Sequence, residues 1–156
     1  MKISWNGLGS VTITGKPVEG EVTLVTNPYQ NETGLRFPRT LKASMVVSSH
    51  GGPEADNVEA VAGEVQSSEP FAVLYAGEYE VRGIFVTGIS AALKDKTPHT
   101  IYRFDLEGMS VGFLGALDRS LTDKEIERLG SIDVLLVPSG GGSVLDAKGA
   151  AEVVSQ

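Results

Sequence analysis

The sequence predicts a layered α/β sandwich, and two observations support this fold class. Short runs of β-branched and apolar residues, separated by glycine-containing turns, occupy the first two thirds of the 156-residue chain and predict strands. Near the end, a predicted strand alternates with predicted helices, which is typical of a layered α/β fold. We expect one domain over residues 1–156, because this length supports one hydrophobic core but is too short for two.

The predicted strands are short, and most of them are separated by turns that contain glycine. The runs Thr100–Leu106 and Met109–Leu114 lie on either side of Glu107-Gly108, which predicts a β-hairpin. Residues 27–40 contain two prolines and several polar residues, which indicates a loop. The other predicted strands are Ile3–Trp5, Val11–Thr14, Glu21–Thr26, Met45–Ser48, Phe71–Tyr75, Glu78–Arg82 and Ile84–Ile89.

Three capping-box spacings predict where helices begin. The helix after the second box is expected to end at Gly130, and the helix after the third is expected to run through Val154. Between these two helices, the apolar run Ile132–Val137 predicts a strand that is buried on both faces. The boxes pair Asp56 with Glu59, Thr122 with Glu125, and Ser143 with Asp146.

Composition argues against several classes of function. The formal net charge is −7, and without a basic stripe the chain is not expected to bind the phosphate backbone of a nucleic acid. Cysteine is absent, which excludes disulfides, thiolate metal ligands and a cysteine nucleophile, and fits a reducing cytoplasm. The sequence has no signal peptide and no run of ~18 apolar residues, so we expect a cytoplasmic chain with no membrane partner.

Several segments carry a resemblance to a known family. Leu121-Thr122-Asp123, the run 132–141 and Asp146-Ala147-Lys148 are the closest match. With the other segments, they resemble the metal-dependent hydrolase-like branch of the metallo-β-lactamase superfamily over nearly the whole chain. The resemblance implies a metallo-β-lactamase-like αββα sandwich that is incomplete at its C-terminal end. The other segments are Ile3–Gly7, Asn27-Pro28-Tyr29, Asn57–Val61, Gly77–Gly83 and Thr100-Ile101-Tyr102.

The loop after the Met45–Ser48 strand departs from the family pattern. In the family, this strand leads into a His-x-His-x-Asp-His loop that binds one or two zinc or iron ions. Here the same positions hold His50-x-Gly52-x-Glu54-Ala55, so that only the first histidine is retained. The resemblance therefore leaves His50 and Glu54 as vestigial candidates for metal ligands.

Other ligand positions of the family have also changed. Ser90–Leu93 stands in place of a histidine loop, Gly115-Ala116 stands in place of a Gly-Asp pair, and the chain stops at Gln156 before a last histidine. A catalytic zinc needs three or more ligands around an open position. The resemblance thus implies a domain without a metal cofactor or hydrolase activity and with a structural or binding role. The residues expected to line its cleft are Asn27, Gly52, Ala55, Leu93, Ala116 and Asp118.

Two alternatives stay open. A single-metal site rebuilt from His50 and Glu54, with His99 or Asp118, would hold zinc, iron or manganese and cleave phosphoester, lactone or lactam substrates. Alternatively, a homo-oligomer or a complementary chain would cover the C-terminal sheet edge, because the family fold normally continues with another strand. We expect His99 itself to be a surface histidine and Asp56 to be a helix cap.

Two further features have structural explanations. Gly140, Gly141 and Gly142 link a predicted strand to the last helix, a geometry that can bind an anion on backbone N–H groups. Because the lysine of a phosphate-binding loop is missing, a tight structural turn is favoured. Four aromatic residues are expected to pack the sheets rather than to form a stacking platform: Trp5, Tyr75, Tyr79 and Tyr102.

Overall fold

The computed structural model describes residues 1–17, 20–65 and 68–156. Its regular elements there are twelve strands, the helices α1 (Asp123–Leu129) and α2 (Ala147–Val154), and 3-10 turns at Asn31–Thr33 and Val58–Ala60. None of these helices is long and apolar enough to cross a bilayer. The strands are β1 (Lys2–Gly7), β2 (Ser10–Gly15), β3 (Val22–Thr26), β4 (Lys42–Ala43), β5 (Met45–Val47), β6 (Ala62–Gly63), β7 (Phe71–Val73), β8 (Gly77–Val81), β9 (Ile84–Ser90), β10 (Thr100–Leu106), β11 (Met109–Phe113) and β12 (Val134–Leu136).

The strands form two five-stranded sheets and a small two-stranded sheet of β4 and β6. The first large sheet has the order β1-β2-β3-β5-β7, in which β1 to β3 are antiparallel and β3, β5 and β7 are parallel. The second has the order β12-β11-β10-β9-β8 and is antiparallel except for the β11–β12 pair. Every predicted strand is present, with boundaries that differ by at most two residues.

The inner faces of the two large sheets enclose the main core. Ile13 and Leu24 of the first sheet lie in one cluster with Tyr102 and Phe104 of the second, and each is 1% exposed or less. A second apolar cluster lies between the second sheet and both helices, and a third lies under the loop that follows β3. These layers confirm the predicted αββα sandwich, although loops and 3-10 turns form the outer layer on the first sheet.

The predicted capping box of α1 is confirmed. The Thr122 hydroxyl accepts a hydrogen bond from the Glu125 N–H at 3.3 Å, and the Glu125 carboxylate accepts one from the Thr122 N–H at 2.8 Å. The Arg119 guanidinium donates to both oxygens of the same carboxylate, at 2.9 and 2.7 Å. Burial by itself would raise the pKa of Glu125, but the hydrogen bonds from Arg119 and Thr122 outweigh it and hold the pKa below its usual range.

The other two capping boxes are wrong. The 3-10 turn at Val58–Ala60 has no side-chain cap, and Asp56 instead closes the preceding loop by accepting from the Gly52 N–H and the Gln30 side chain, both at 2.9 Å. At the other box, α2 begins one turn later than predicted. Its cap is Asp146, which accepts from the Gly149 N–H at 2.7 Å.

Strand β12 is less buried than its sequence predicted. Val134 and Leu136 pack against the core between the sheets, and Leu135 and Val137 pack against the cluster under the helices, so both faces are in contact as expected. All three strand residues are nevertheless only half-buried. The reason is that β12 is the edge of its sheet and has a strand neighbour on one side only among the described residues.

The aromatic side chains do not all pack the sheets as predicted. Tyr102 is fully buried, and its hydroxyl donates to the Ser48 carbonyl at 2.7 Å. Burial raises the pKa of this phenol above its usual value. Trp5 and Tyr75 are 75% and 76% exposed, so the prediction is wrong for both of them.

Candidate binding site at one end of the sandwich

Four loops meet at one end of the two sheets. Asn27 follows β3, and Ser49 with His50 follows the adjacent parallel strand β5. His99 lies directly before β10, and Ala91 lies directly after β9. The Ala91 N–H donates a hydrogen bond to the His99 carbonyl at 2.8 Å. The loop after β11 completes the group. These loops bring Asn27, His50 and the Gly115-Ala116 pair together around His99.

A short chain of hydrogen bonds links the first two loops. The Asn27 side chain accepts from the Ser49 N–H and donates to the Ser49 hydroxyl, both at 2.8 Å. The same hydroxyl lies 2.8 Å from Nδ1 of His50. The Ser49 hydroxyl therefore connects the Asn27 side chain to the His50 ring.

His99 is buried, and the prediction of a surface histidine is wrong. The residue is 3% exposed, its Nδ1 lies 3.2 Å from the Ala91 carbonyl oxygen, and its Nε2 accepts from the Ala116 N–H at 3.0 Å. A carbonyl can only accept, so Nδ1 carries the proton and the ring is neutral. Burial, together with the neighbouring His50, lowers the pKa of His99 to about 4.

His50 and His99 lie next to each other although they are 49 positions apart along the chain. Their ring centroids are 5.9 Å apart. Burial also lowers the pKa of His50, while Glu54 and Asp56 oppose this shift in part. The pair is therefore held as two neutral imidazoles near neutral pH.

Gly115 allows the loops to approach so closely. Its φ is +57°, and a Cβ atom added there would overlap the Ser49 hydroxyl oxygen and lie 2.7 Å from Nε2 of His99. A side chain at this position would collide with two buried groups. Sequence reasoning did not single out Ser49, and nothing in the local pattern distinguishes it from Ser48, because its contacts come from loops that are distant in sequence.

The structure brings five of the predicted metal-ligand and cleft-lining residues to one groove: Asn27, His50, Glu54, Leu93 and Ala116. It does not place Gly52, Ala55 or Asp118 in the lining. Ala55 is fully buried, and Gly52 donates its N–H to the Asp56 carboxylate. The Asp118 carboxylate accepts from the Lys94 N–H at 3.1 and 3.3 Å and so closes a loop.

The glycine turn before α2 follows β12 and leaves the second sheet at the same end as the loop after β11, because β11 and β12 are parallel. Gly141 and Gly142 have φ values of +76° and +70°, and the Gly141 N–H donates to the Leu145 carbonyl at 3.0 Å. Gly140 is exposed and lines the groove. The N–H group of Gly141 is therefore already engaged within the turn. The favoured structural turn and the alternative of anion binding both stay predictions.

The side chains at this end do not fit a divalent metal ion. Among the described residues, no group of three or more His, Asp or Glu side chains is placed to share an ion. Both ring nitrogens of His99 and Nδ1 of His50 are engaged in hydrogen bonds within the protein. One imidazole nitrogen and the exposed Glu54 carboxylate remain, which is fewer donors than zinc sites use.

The groove itself runs between the two sheets, with a volume of about 1040 Å³. One long side is formed by β1 and the other by β12, which are the edge strands of the two sheets. Most of its lining is apolar, and its polar side chains are those of Asn27, His50, Glu54, Ser139 and Ser143. Large apolar pockets with a few convergent polar groups are the usual form of binding sites.

Comparison with known proteins agrees with this architecture. A family model described as a β-lactamase superfamily domain matches residues 2–156. A protein from Thermotoga maritima, proposed to be a Zn-dependent hydrolase of the metallo-β-lactamase superfamily, is 30% identical with a TM-score of 0.78. That match covers 98% of this chain and 69% of the Thermotoga chain. A comparison with curated proteins finds no match.

Two more distant structures share the fold alone. A proposed metal-dependent hydrolase from Parabacteroides distasonis is 13% identical with a TM-score of 0.72, over 97% of this chain and 76% of that one. A metallo hydrolase from the archaeon Ignicoccus hospitalis is 18% identical with a TM-score of 0.60. That match covers 97% of this chain and 76% of the Ignicoccus chain. The resemblance found in the sequence is therefore confirmed at the level of family and fold.

Proposed function

The chain belongs to the β-lactamase superfamily, and we propose that it binds no metal ion, has no hydrolase activity and has a structural or binding role. A binding role would use the groove between β1 and β12. The absence of cysteine supports a cytoplasmic setting, and the net charge of −7 supports a role without nucleic acid.

One observation carries the proposal: the imidazoles at the end of the sandwich bond to the protein itself. Nε2 of His99 accepts from the Ala116 N–H, at a position where the sequence resemblance implied a bridging aspartate. Nδ1 of His50 bonds to Ser49, which Asn27 holds in turn. Because a metal ligand must present a free lone pair, freeing these nitrogens would cost hydrogen bonds of buried groups.

Metal binding by the purified protein tests the proposal. The protein is analysed for zinc, iron and manganese, then treated with a chelator and titrated with zinc in a calorimeter. We expect much less than one ion per chain and no saturable heat, both in the wild type and in the matched variant His50→Ala. About one bound ion per chain in the wild type, and none in His50→Ala, would contradict the proposal.

A hydrolase with a rebuilt single-metal site is the second candidate, and one observation favours it. His50 and Glu54 both line the groove, and Nε2 of His50 makes no hydrogen bond in the described part of the chain. This candidate predicts cleavage of phosphoester, lactone or lactam substrates that depends on added zinc, iron or manganese. His50→Ala should then abolish turnover, and a rate that His50→Ala leaves unchanged rejects the candidate.

A further inference from the structure

The imidazole of His99 joins two of the loops at the end of the sandwich. Its Nδ1 lies 3.2 Å from the Ala91 carbonyl oxygen in the loop after β9, and its Nε2 accepts a hydrogen bond from the Ala116 N–H in the loop after β11, at 3.0 Å. Because the carbonyl can only accept and the N–H can only donate, Nδ1 carries the ring proton and Nε2 presents a lone pair. The ring therefore bridges a backbone acceptor and a backbone donor from two different loops.

The loop after β5 is tied to the same segment of the chain. The Thr100 N–H donates to the Ser49 carbonyl at 2.8 Å, and the Ala91 N–H donates to the His99 carbonyl at the same distance. A Cβ atom on Gly115 would overlap the Ser49 hydroxyl oxygen and lie 2.7 Å from Nε2 of His99. The Ser49 hydroxyl and the His99 ring therefore both lie against Gly115, so that three loops meet at the ring.

The bridging ring is buried, and its hydrogen bonds are complete. His99 is 3% exposed, and among the described residues every buried side-chain nitrogen or oxygen has a hydrogen-bond partner. Buried polar networks whose groups are all paired favour one arrangement, because each lost bond would leave an unpaired polar group. His99 thus fixes the positions of the loops after β9 and β11 relative to each other.

The joined loops are those at which the resemblance implies metal ligands in the family. In this chain they carry His50 after β5, Ser90–Leu93 at the end of β9, and Gly115-Ala116 after β11. Loops that share a metal ion are held together by it, so that metal binding contributes to the stability of a fold. The described residues provide no such set of ligands. The hydrogen bonds of His99 connect loops that a shared ion would otherwise connect.

The charge of the site agrees with a neutral bridge. The resemblance implies an aspartate at the position of Ala116, and a carboxylate that leaves water without a cation beside it is strongly unfavourable. Ala116 introduces no such charge, and it bonds to His99 through its backbone N–H. Both hydrogen bonds of the His99 ring go to backbone groups, so neither partner needs an ion to balance it.

We propose that the His99 imidazole takes the structural place of the family's metal ion. It holds the loops after β9 and β11 together beside Ser49, so that this end of the sandwich is ordered without an ion. The inference rests on the proposed function, because a chain that binds no metal needs another connection between these loops. It also deepens that function, since a binding site at this end would keep its shape without a metal ion. The contacts that carry it are all made within the described part of the chain.

Nuclear magnetic resonance of the folded wild-type protein, treated with a chelator, tests the bridge directly. We expect the His99 ring to carry its proton on Nδ1. We also expect a scalar coupling across the hydrogen bond between the Ala116 amide nitrogen and Nε2 of His99. Adding zinc should leave both signals unchanged. Hydrogen exchange of the Ala116 amide is a further readout, since this N–H is protected while the ring accepts from it.

Two variants assign the protection of this amide to His99. In His99→Phe, which keeps an aromatic ring but has no acceptor, the Ala116 amide should exchange about tenfold faster or more relative to Leu114. The Leu114 amide is the internal reference, because it donates to the Leu136 carbonyl at 3.0 Å and makes no bond to the ring. The matched control is His50→Phe, which removes the neighbouring imidazole but not the bond to Ala116. Its Ala116 amide should exchange as in the wild type.

Three results would overturn the inference. These are a ring proton on Nε2 of His99 in the chelator-treated protein, protection of the Ala116 amide that His99→Phe leaves unchanged, and protection that appears only after zinc is added. If His99→Phe does not fold, the ring proton and the coupling in the wild type decide. A bound ion together with an intact His99 bridge would reject the proposed function alone, whereas a metal-free protein with the proton on Nε2 would reject this inference alone.

Discussion

Acidification from pH 7 to pH 5 is expected to destabilise the protein, mainly through His99. This imidazole is 3% exposed, and burial with the neighbouring His50 lowers its pKa to about 4. In an unfolded chain the pKa is about 6.5. Between these two values the unfolded state binds more protons than the folded state. The stability contribution of neutral His99 is therefore complete above pH 6.5 and is lost as the pH falls toward 4.

The expected loss is about 2 kcal/mol between pH 7 and pH 5 for a pKa difference of this size. The chain contains only two histidines, so this window is nearly free of other titrations. The pKa of His50 is also lowered by burial, and its contribution has the same sign. Carboxylates with a lowered pKa, such as Asp56 and Glu125, lose their contribution only below about pH 4.5.

Urea unfolding followed by circular dichroism measures this loss in the wild type, in His99→Gln and in the control His50→Gln. Glutamine keeps a donor and an acceptor but does not titrate. We expect the wild type to lose about 2 kcal/mol more than His99→Gln over the window, whatever the stability of the variant at pH 7. Equal losses in these two proteins, or a midpoint near 6.5 for His99 in an NMR titration, would refute the reasoning.

Two other substitutions test local contacts by the same urea unfolding. Gly115→Ala should cost about 3 kcal/mol or more, because it combines a positive φ with a collision against buried groups. Gly108→Ala, at a φ of +73° with open space around it, should cost only about 1–2 kcal/mol, and equal costs would contradict the steric argument. Thr122→Ala should cost about 1 kcal/mol through loss of the bond to the Glu125 N–H, and a neutral effect would show that this cap contributes nothing.

The strands and helix α1 could be predicted because they depend on residues that are close in sequence. Leu106 pairs with Met109 as expected, and Glu107 and Gly108 between them have the positive φ values that a two-residue hairpin turn requires. The two failed capping boxes had the right spacing as well. The Asp56 carboxylate accepts a hydrogen bond from the Gly52 N–H in the preceding loop instead of capping the turn that follows. Spacing in the sequence does not show which of the two hydrogen bonds a carboxylate makes.

The sequence by itself determined the family, the αββα sandwich and the replacement of residues at the metal-ligand positions, since each of these follows from local patterns and matched segments. Only the tertiary structure placed His99 beside His50, because the packing of distant loops around Gly115 creates that contact. It also decided that Trp5 is exposed beside the half-buried strand β12. Alternation along a strand tells which face a side chain points to, whereas exposure depends on whether another element covers that face.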